Sequence, residues 1–166
     1  MAKLKRWARE LLILLLLVAS VIFVIDWWRA PQAPPSFNQQ LLQTLDGESV
    51  SLAQLSQDKP LLVYFWASWC GVCRFTTPSV SKLAANGGNV LTVALRSGND
   101  QQVEQWLARK RLKLPVVNDE QGEIASRWQV GVTPTFVVIS RGKLVQSTTG
   151  WTSEWGMKLR LWWASL

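Results

Sequence analysis

The chain has 166 residues, about half of them apolar, and a formal net charge of +7. That length suits one domain with an appendage. No histidine is present, which excludes Ser-His and Cys-His nucleophile pairs, His-ligated zinc or copper, and a histidine pH switch.

The N-terminal segment Leu11–Ile25 is uncharged and, at 25 − 11 + 1 = 15 residues, would form a helix of ~22 Å. A bilayer core of ~30 Å is longer, but Trp7 on one side and Trp27-Trp28 on the other are placed as interfacial aromatic belts. Four basic residues precede the segment: Lys3, Lys5, Arg6 and Arg9. This pattern predicts an uncleaved single-pass anchor, with the N-terminus in the cytoplasm and the rest of the chain across the membrane.

A cleaved signal peptide is the competing interpretation, because a basic start and a short apolar core also suit one. Residues 26–31 offer no small-x-small cleavage site free of bulky residues or proline. Three prolines between Arg29 and Ser36 predict a semi-rigid tether. We therefore expect a basic tip and anchor over 1–28, a tether over 29–36 and a domain over 37–166.

The patterning of apolar and turn residues predicts the elements of the domain. In chain order they are a hairpin over 41–52, a buried strand over 61–66, a helix over 71–85 kinked by Pro78, and a strand over 90–95. Next come a helix that is capped by Asn99 or Asp100 and runs to 110, a strand at 115–117 and a short helix at 123–128. The chain ends with a hairpin of strands at 135–139 and 144–148 and a helix over 153–166. This order implies a mixed sheet with helices on both faces.

The densest basic cluster of the domain is Arg109-Lys110-Arg111 with Lys113. From Ala30 onward there are 13 Lys+Arg against 9 Asp+Glu, a surplus of four. Basic residues at the end of an amphipathic helix are typical of a solvated face that suits the helix C-terminus. We therefore predict no nucleic-acid partner.

The tetrapeptide Cys70-Gly71-Val72-Cys73 holds the only two cysteines of the chain and follows the strand predicted over 61–66. The strand would deliver both sulfurs to a helix start, where unpaired N–H groups and the helix dipole favour a thiolate. Cys73 lies one turn beyond Cys70, close enough to close a disulfide. The arrangement favours dithiol–disulfide exchange.

Other uses of two cysteines remain open. A structural disulfide would gain little from so short a loop. A structural zinc site needs four ligands, which the chain cannot supply from cysteine and histidine. A two-thiolate Cu(I) site stays possible, because soft sulfur suits that ion. We predict no metal and no organic cofactor, with the electrons held by the cysteine pair.

Three groups of residues together resemble the thioredoxin family: 62–73, with the sequence LVYFWASWCGVC, 132–136, with the sequence VTPTF, and Gly142. The similarity covers residues 37–166. It implies a thioredoxin fold, an α/β architecture with a mixed central sheet flanked by helices, and protein-disulfide oxidoreductase activity. With its N-terminal hairpin and anchor, the chain is most similar to the membrane-tethered, extracytoplasmic subgroup related to cytochrome-maturation thioredoxins.

The resemblance also implies roles for residues. Cys70 would be the nucleophile that forms a mixed disulfide with a substrate, and Cys73 would resolve it. Pro134 would be cis and face the disulfide, the backbone of Thr133 would pair with bound peptide, and Trp69 would border the site. The plainer alternatives are an ordinary turn proline at 134 and a packing aromatic at 69.

Two positions depart from the family. Tyr64 stands where many thioredoxins carry a buried acid, which predicts slow general reductase activity. Thr135 stands where the cytochrome-maturation members carry an acid, which argues against dedicated cytochrome c maturation. Arg74 could add positive potential near the thiolates, although a surface role is the simpler interpretation.

The resemblance implies a reductase of the bacterial periplasm that is held in the inner membrane by Leu11–Ile25. Its partners would be protein thiol and disulfide substrates and a membrane electron-transfer partner, with a link to copper tolerance. Two alternatives are a Cu(I)-binding module that uses Cys70 and Cys73, and a thiol peroxidase. A peroxidase would use one reactive cysteine in a Thr-x-x-Cys context, which Trp-Cys-Gly-Val-Cys does not match.

Overall fold

A computed structural model describes residues 2–28 and 30–166, except for the side chains of residues 2–4 and 26. Arg29, where the predicted tether begins, and the Lys3 side chain lie outside this description. The chain divides into two compact units, one up to Ala30 and one over Pro31–Leu166.

The first unit is a single helix, α1, over Ala2–Trp28. Its stretch Lys5–Ile25 has 21 residues, a mean hydropathy of 2.6 and no buried residue. At ~1.5 Å per residue this is ~31 Å, enough for a bilayer core. The helix extends beyond the 15-residue apolar segment at both ends, and before that segment Arg6 Nε pairs with Glu10 Oε1 at 3.0 Å, one turn along the helix. By length and composition α1 can cross a membrane, and a signal sequence would pass the same test.

The start of the second unit packs on the domain instead of standing free as a tether. Pro31 is buried and the N–H of Gln32 donates to the carbonyl of Trp128 at 3.0 Å. The Trp128 ring also meets Phe37 edge-on, with ring centroids 5.1 Å apart. This apolar surface explains why a proline-rich segment docks where its composition predicts an extended linker.

The domain is built on two sheets. β1 (Leu41–Gln43) and β2 (Ser49–Ser51) form the predicted hairpin. The central sheet has the order β5-β4-β3-β6-β7, with β3 over Leu61–Trp66, β4 over Val90–Leu95, β5 over Val116–Asp119, β6 over Thr135–Ser140 and β7 over Lys143–Thr149. The first three are parallel, and β6 and β7 run antiparallel to their neighbours. The mixed sheet is therefore confirmed.

Five helices surround the sheet: α2 (Leu52–Leu55), α3 (Cys73–Ala85), α4 (Asp100–Lys110), α5 (Glu123–Arg127) and α6 (Glu154–Ser165). Asn99 caps α4 through a reciprocal capping box with Gln102, as its sequence position predicts. Regular helix begins at Cys73, two residues after the predicted start. Helix α2 has only four residues, too few to show a helical period, so the sequence pattern does not predict it.

The core lies on both faces of β3, whose six residues are all buried. Leu62, Tyr64 and Trp66 face a cluster that includes side chains of α3, α4 and α6. Leu61 and its alternate residues face a second cluster with α2 and α5. Because β3 is the central strand and is clamped from both sides, the loop at its C-terminal end starts from a fixed position.

Candidate active site

The two cysteines lie between the end of β3 and the first residue of α3. Cys70 and Cys73 form a disulfide, with their Cα atoms 5.3 Å apart. Cys70 keeps 6% of its surface exposed, whereas Cys73 is fully buried. Any partner thiol that approaches from solvent therefore meets Cys70 first.

The helix start directs a hydrogen-bond donor at Cys70. The N–H of Cys73 donates to Cys70 Sγ over 3.1 Å. Cys73 is the first residue of α3, so this N–H belongs to the set that has no partner within the helix. In the reduced protein the same donor and the positive end of the helix would favour a thiolate on Cys70.

The loop before β6 also approaches the disulfide. The Thr133–Pro134 peptide bond is cis, which confirms the sequence prediction. Pro134 is buried, and its carbonyl accepts the N–H of Gly150 at 2.9 Å. The Thr133 carbonyl oxygen lies 3.5 Å from Cys70 Sγ. A disulfide sulfur carries no proton, so this approach is a contact that becomes a hydrogen bond only with a thiol.

Trp69 borders Cys70 with 61% of its surface exposed. Its indole N–H donates to the carbonyl of Arg96 at 3.0 Å. Arg96 has a left-handed backbone, with φ at +44°, a conformation that costs energy for a residue with a Cβ. The neighbouring Ser97 Oγ accepts the N–H of Ser68 at 2.9 Å. The loop after β4 thus holds Trp69 in place.

Two exposed apolar residues, which no sequence motif singled out, lie close to the cysteines along the chain. Val72 is 43% exposed and Phe75 is 71% exposed. Both lie outside the buried side of α3, which contains Cys73, Thr76, Thr77, Val80 and Leu83. A helical projection of 72–83 would have revealed them. Arg74 is exposed, in agreement with the simpler of its two interpretations.

A buried hydroxyl cluster lies beside the resolving position. Tyr64 Oη is 2.9 Å from both Thr76 Oγ1 and Thr77 Oγ1. Burial raises the pKa of Tyr64 above its ordinary value, and its hydrogen bonds with Thr76 and Thr77 oppose that rise. The phenol is therefore neutral at physiological pH. The two threonines were missed, although their spacing from Cys73 places them on the same face of α3.

Cys70 and Cys73 are the only cysteines of the chain, so a metal ion bound by thiolates could have no more than two sulfur ligands. No group of three or more His, Cys, Asp or Glu is close enough to hold an ion in the part of the chain that the structure describes. A copper ion would need Cys70 and Cys73 in their reduced form, because a disulfide offers no thiolate.

Comparison with known proteins places this site in a family. A family model named Redoxin matches residues 29–154. The chain is 44% identical to a thioredoxin-like protein of Haemophilus influenzae, over 98% of this chain and 97% of that one. It is 30% identical to the thiol-disulfide oxidoreductase ResA of Oceanobacillus iheyensis, over 83% of this chain and 78% of that protein.

A solved structure agrees. A secreted Mycobacterium tuberculosis disulfide oxidoreductase, homologous to E. coli DsbE, superposes with a TM-score of 0.60 and 28% identity, covering 74% of this chain and 94% of that one. Together with the disulfide at the start of α3 and the cis-proline loop, these similarities show that the chain belongs to the Redoxin family of thioredoxin-like protein-disulfide oxidoreductases.

Proposed function

We propose that Cys70 is the nucleophile and Cys73 the resolving cysteine of a membrane-tethered disulfide reductase. The observation that carries this assignment is the asymmetry of the pair. Cys70 is the sulfur with exposed surface and the one that accepts the Cys73 N–H at 3.1 Å, while Cys73 is fully buried. A donor aimed at one sulfur stabilises negative charge on that sulfur alone.

The exchange runs in two displacements. The Cys70 thiolate attacks a substrate disulfide, forms a mixed disulfide and releases one substrate thiolate. Cys73 then loses its proton to solvent and attacks Cys70 Sγ, which forms the Cys70–Cys73 disulfide and releases the second substrate thiolate. The protein loses two electrons and the substrate gains them. The proton that Cys70 gave up on ionising and the proton of Cys73 both pass to solvent, and the two substrate thiolates take two protons from solvent, so the protons balance.

Trp69, Thr133 and Pro134 are proposed to bind the substrate polypeptide. The Thr133 carbonyl lies 3.5 Å from Cys70 Sγ, so a peptide that pairs with this loop would lay its own sulfur near the nucleophile. Trp69 offers a held, largely exposed ring on which apolar substrate side chains can pack.

We further propose that α1 anchors the chain in the bacterial inner membrane and leaves the domain in the periplasm. Support comes from the 21-residue span Lys5–Ile25 and from the basic residues at its N-terminal end, which precede the uncharged segment Leu11–Ile25 and include Arg6 and Arg9. The anchor would occupy residues 1–28 and the thioredoxin-like domain 37–166. The linking segment 29–36 would be shorter in effect than its sequence suggests, because Pro31 and Gln32 already contact the domain.

The direction is proposed to be reductive. In an oxidising compartment, a cysteine pair that receives no electrons stays a disulfide. A membrane electron-transfer partner would therefore have to reduce the Cys70–Cys73 disulfide. The anchor and the Cys-Gly-Val-Cys sequence make the chain similar to suppressor for copper sensitivity protein D. On that similarity we propose a role in copper tolerance, in which the reductase repairs thiols that copper has oxidised or mispaired.

Substrate trapping tests the assignment. In cells that carry Cys73→Ala, the mixed disulfide forms but cannot be resolved, so we expect substrate proteins to remain attached through Cys70. The matched control is Cys70→Ala, which keeps one cysteine but removes the nucleophile and should trap nothing. If Cys70→Ala traps the same proteins and Cys73→Ala traps none, the two roles are reversed. Stoichiometric Cu(I) binding without insulin reduction would instead favour the copper module.

A further inference from the structure

The hydroxyl cluster beneath the disulfide ends on the backbone of Cys73. Thr77 Oγ1 lies 2.6 Å from the carbonyl oxygen of Cys73 and 2.9 Å from Tyr64 Oη. Tyr64, Thr76 and Thr77 are all fully buried. Because Tyr64 belongs to the central strand, these bonds tie β3 to the first turn of α3.

The number of hydroxyl protons fixes which oxygen donates and which accepts in each hydrogen bond of this cluster. Each hydroxyl has one proton to donate, and a carbonyl oxygen can only accept. At 2.6 Å, Thr77 must donate to the Cys73 carbonyl, so its oxygen accepts from Tyr64. The Tyr64 oxygen in turn accepts from Thr76, whose contacts with the Cys73 and Val72 carbonyls are longer, at 3.4 and 3.5 Å. The chain runs Thr76 to Tyr64 to Thr77 to Cys73, and every hydroxyl donates once.

We propose that Tyr64 is a positioning residue for disulfide exchange, which acts through Thr77 to hold the Cys73 backbone with its N–H aimed at Cys70 Sγ. The inference deepens the proposed function and rests on Cys70 as the nucleophile. The N–H and the carbonyl of Cys73 flank the same Cα, so restraining the carbonyl limits rotation of the N–H that lies 3.1 Å from the sulfur.

This restraint acts unequally on the two redox states. A hydrogen bond to a charged acceptor is roughly twice as strong as one to a neutral acceptor. The Cys73 N–H therefore stabilises a Cys70 thiolate more than it stabilises the sulfur of the disulfide. Holding the donor in place favours the reduced protein and makes Cys70 a better attacking and leaving group.

Tyr64→Phe is the direct test, because it removes one oxygen and keeps the ring that stacks on Phe136 at 4.8 Å. In the full chain, equilibrated with a glutathione redox buffer, we expect a shift toward the disulfide of about three- to tenfold, the range of one net hydrogen bond. Alkylation of Cys70 at fixed pH should slow in the same direction. Thr77→Val should reproduce both effects, and Thr77→Ser, which keeps the hydroxyl, should restore the wild-type values.

The matched control is Thr92→Val. Thr92 is the neighbour of Tyr64 in the β3–β4 register, but its Oγ1 bonds elsewhere: it accepts the Trp66 indole N–H at 3.2 Å and donates to the Pro115 carbonyl at 3.0 Å. The substitution therefore removes a hydroxyl from the same region that takes no part in the Thr76–Tyr64–Thr77 hydrogen-bond chain. This variant should lower the unfolding midpoint but leave the glutathione equilibrium unchanged.

A purely structural role for Tyr64 would make Tyr64→Phe behave like Thr92→Val, and that result would overturn the inference. The inference would also be overturned if Thr77→Ser folds but its equilibrium with glutathione differs from that of the wild type. If the wild-type chain itself does not react first at Cys70, the proposed function has failed, and this outcome is separate because it involves no Tyr64 variant.

Discussion

Replacing Tyr64 by aspartate tests whether a missing proton acceptor limits resolution of the mixed disulfide. Resolution requires Cys73 to lose its proton, and the hydroxyls near it are neutral donors with no carboxylate among their hydrogen-bond partners. A phenol with an ordinary pKa of ~10 accepts no proton near neutral pH. We therefore expect the native domain to be a slow general reductant and Tyr64→Asp to speed the second displacement.

The burial of Tyr64 determines how much this substitution lowers the free energy of unfolding. Tyr64 is fully buried and its ring stacks on Phe136 with an interplanar angle of 16°. Truncating a buried aromatic residue costs about 3–5 kcal/mol, and burying a polar group without partners adds about 1–3 kcal/mol. A loss of about 4–8 kcal/mol is a large part of the roughly 5–15 kcal/mol that stabilises a typical domain, so the folded fraction has to be measured beside the rate.

The pH dependence has a definite sign. Burial should raise the folded-state pKa of the introduced carboxyl above its unfolded value of ~3.9. Below that value both states hold the proton. As the pH rises, the unfolded chain loses its proton first, so the stability of the variant falls until the folded-state pKa is passed. Urea unfolding of Tyr64→Asp should therefore give a lower free energy of unfolding at pH 7 than at pH 4.

The assay uses Tyr64→Asn as a matched control, because it leaves the same cavity without an acid. Mixing the reduced full chain with a chromogenic aromatic disulfide releases one thiolate when Cys70 attacks and a second when Cys73 resolves. We expect the second phase to be about a hundredfold faster in Tyr64→Asp than in Tyr64→Asn, the lower end of general-base catalysis. Equal second phases in two folded variants would refute the reasoning, and solvent or another group would then take the proton.

Four other outcomes are expected. Tyr64 is the only tyrosine of the chain, and burial raises its pKa. The unfolded chain therefore loses the phenol proton first, so the free energy of unfolding should fall as pH rises above ~10. Tyrosinate absorbance that appears near pH 10 while the protein is still folded would contradict this. Trp69→Ala should lower kcat/KM for a protein disulfide by about tenfold while sparing a small aromatic disulfide, and an equal loss for both would contradict a binding role. Asn99→Ala should cost about 0.5–2 kcal/mol in urea unfolding through loss of the α4 cap, with unchanged insulin reduction. Carbonate extraction should leave the full chain in membranes, whereas release of a shortened chain would show a cleaved signal. A reporter enzyme that works only in the periplasm should be active when it is fused after Pro35, and activity of only a cytoplasmic reporter at that position would contradict the topology.

Local sequence patterns predicted most of the strands and helices of the domain. The continuous apolar run 61–66 indicates a central strand because both of its faces are buried. Asn99, with Gln102 three residues later, indicates where α4 begins because the two residues cap each other. These features depend on neighbours in the sequence, so they are visible without a structure.

The parts of the site that depend on distant contacts were not predictable in the same way. The left-handed backbone of Arg96 follows from the loop after β4, and nothing in its side chain indicates that its carbonyl holds Trp69. The docking of Gln32 depends on the carbonyl of Trp128, far along the chain. The position of Pro134 opposite the cysteines came from resemblance to a family, because an X–Pro bond is cis in only about 5–6% of cases.

The roles of the two cysteines are tested most directly by competitive alkylation of the reduced full chain in detergent at neutral pH. Mass spectrometry of the labelled peptides would report how fast each sulfur reacts. Because Cys70 has exposed surface and receives the Cys73 N–H while Cys73 is fully buried, we predict that Cys70 is labelled well before Cys73. Equal rates, or earlier labelling of Cys73, would contradict the assignment of nucleophile and resolving cysteine.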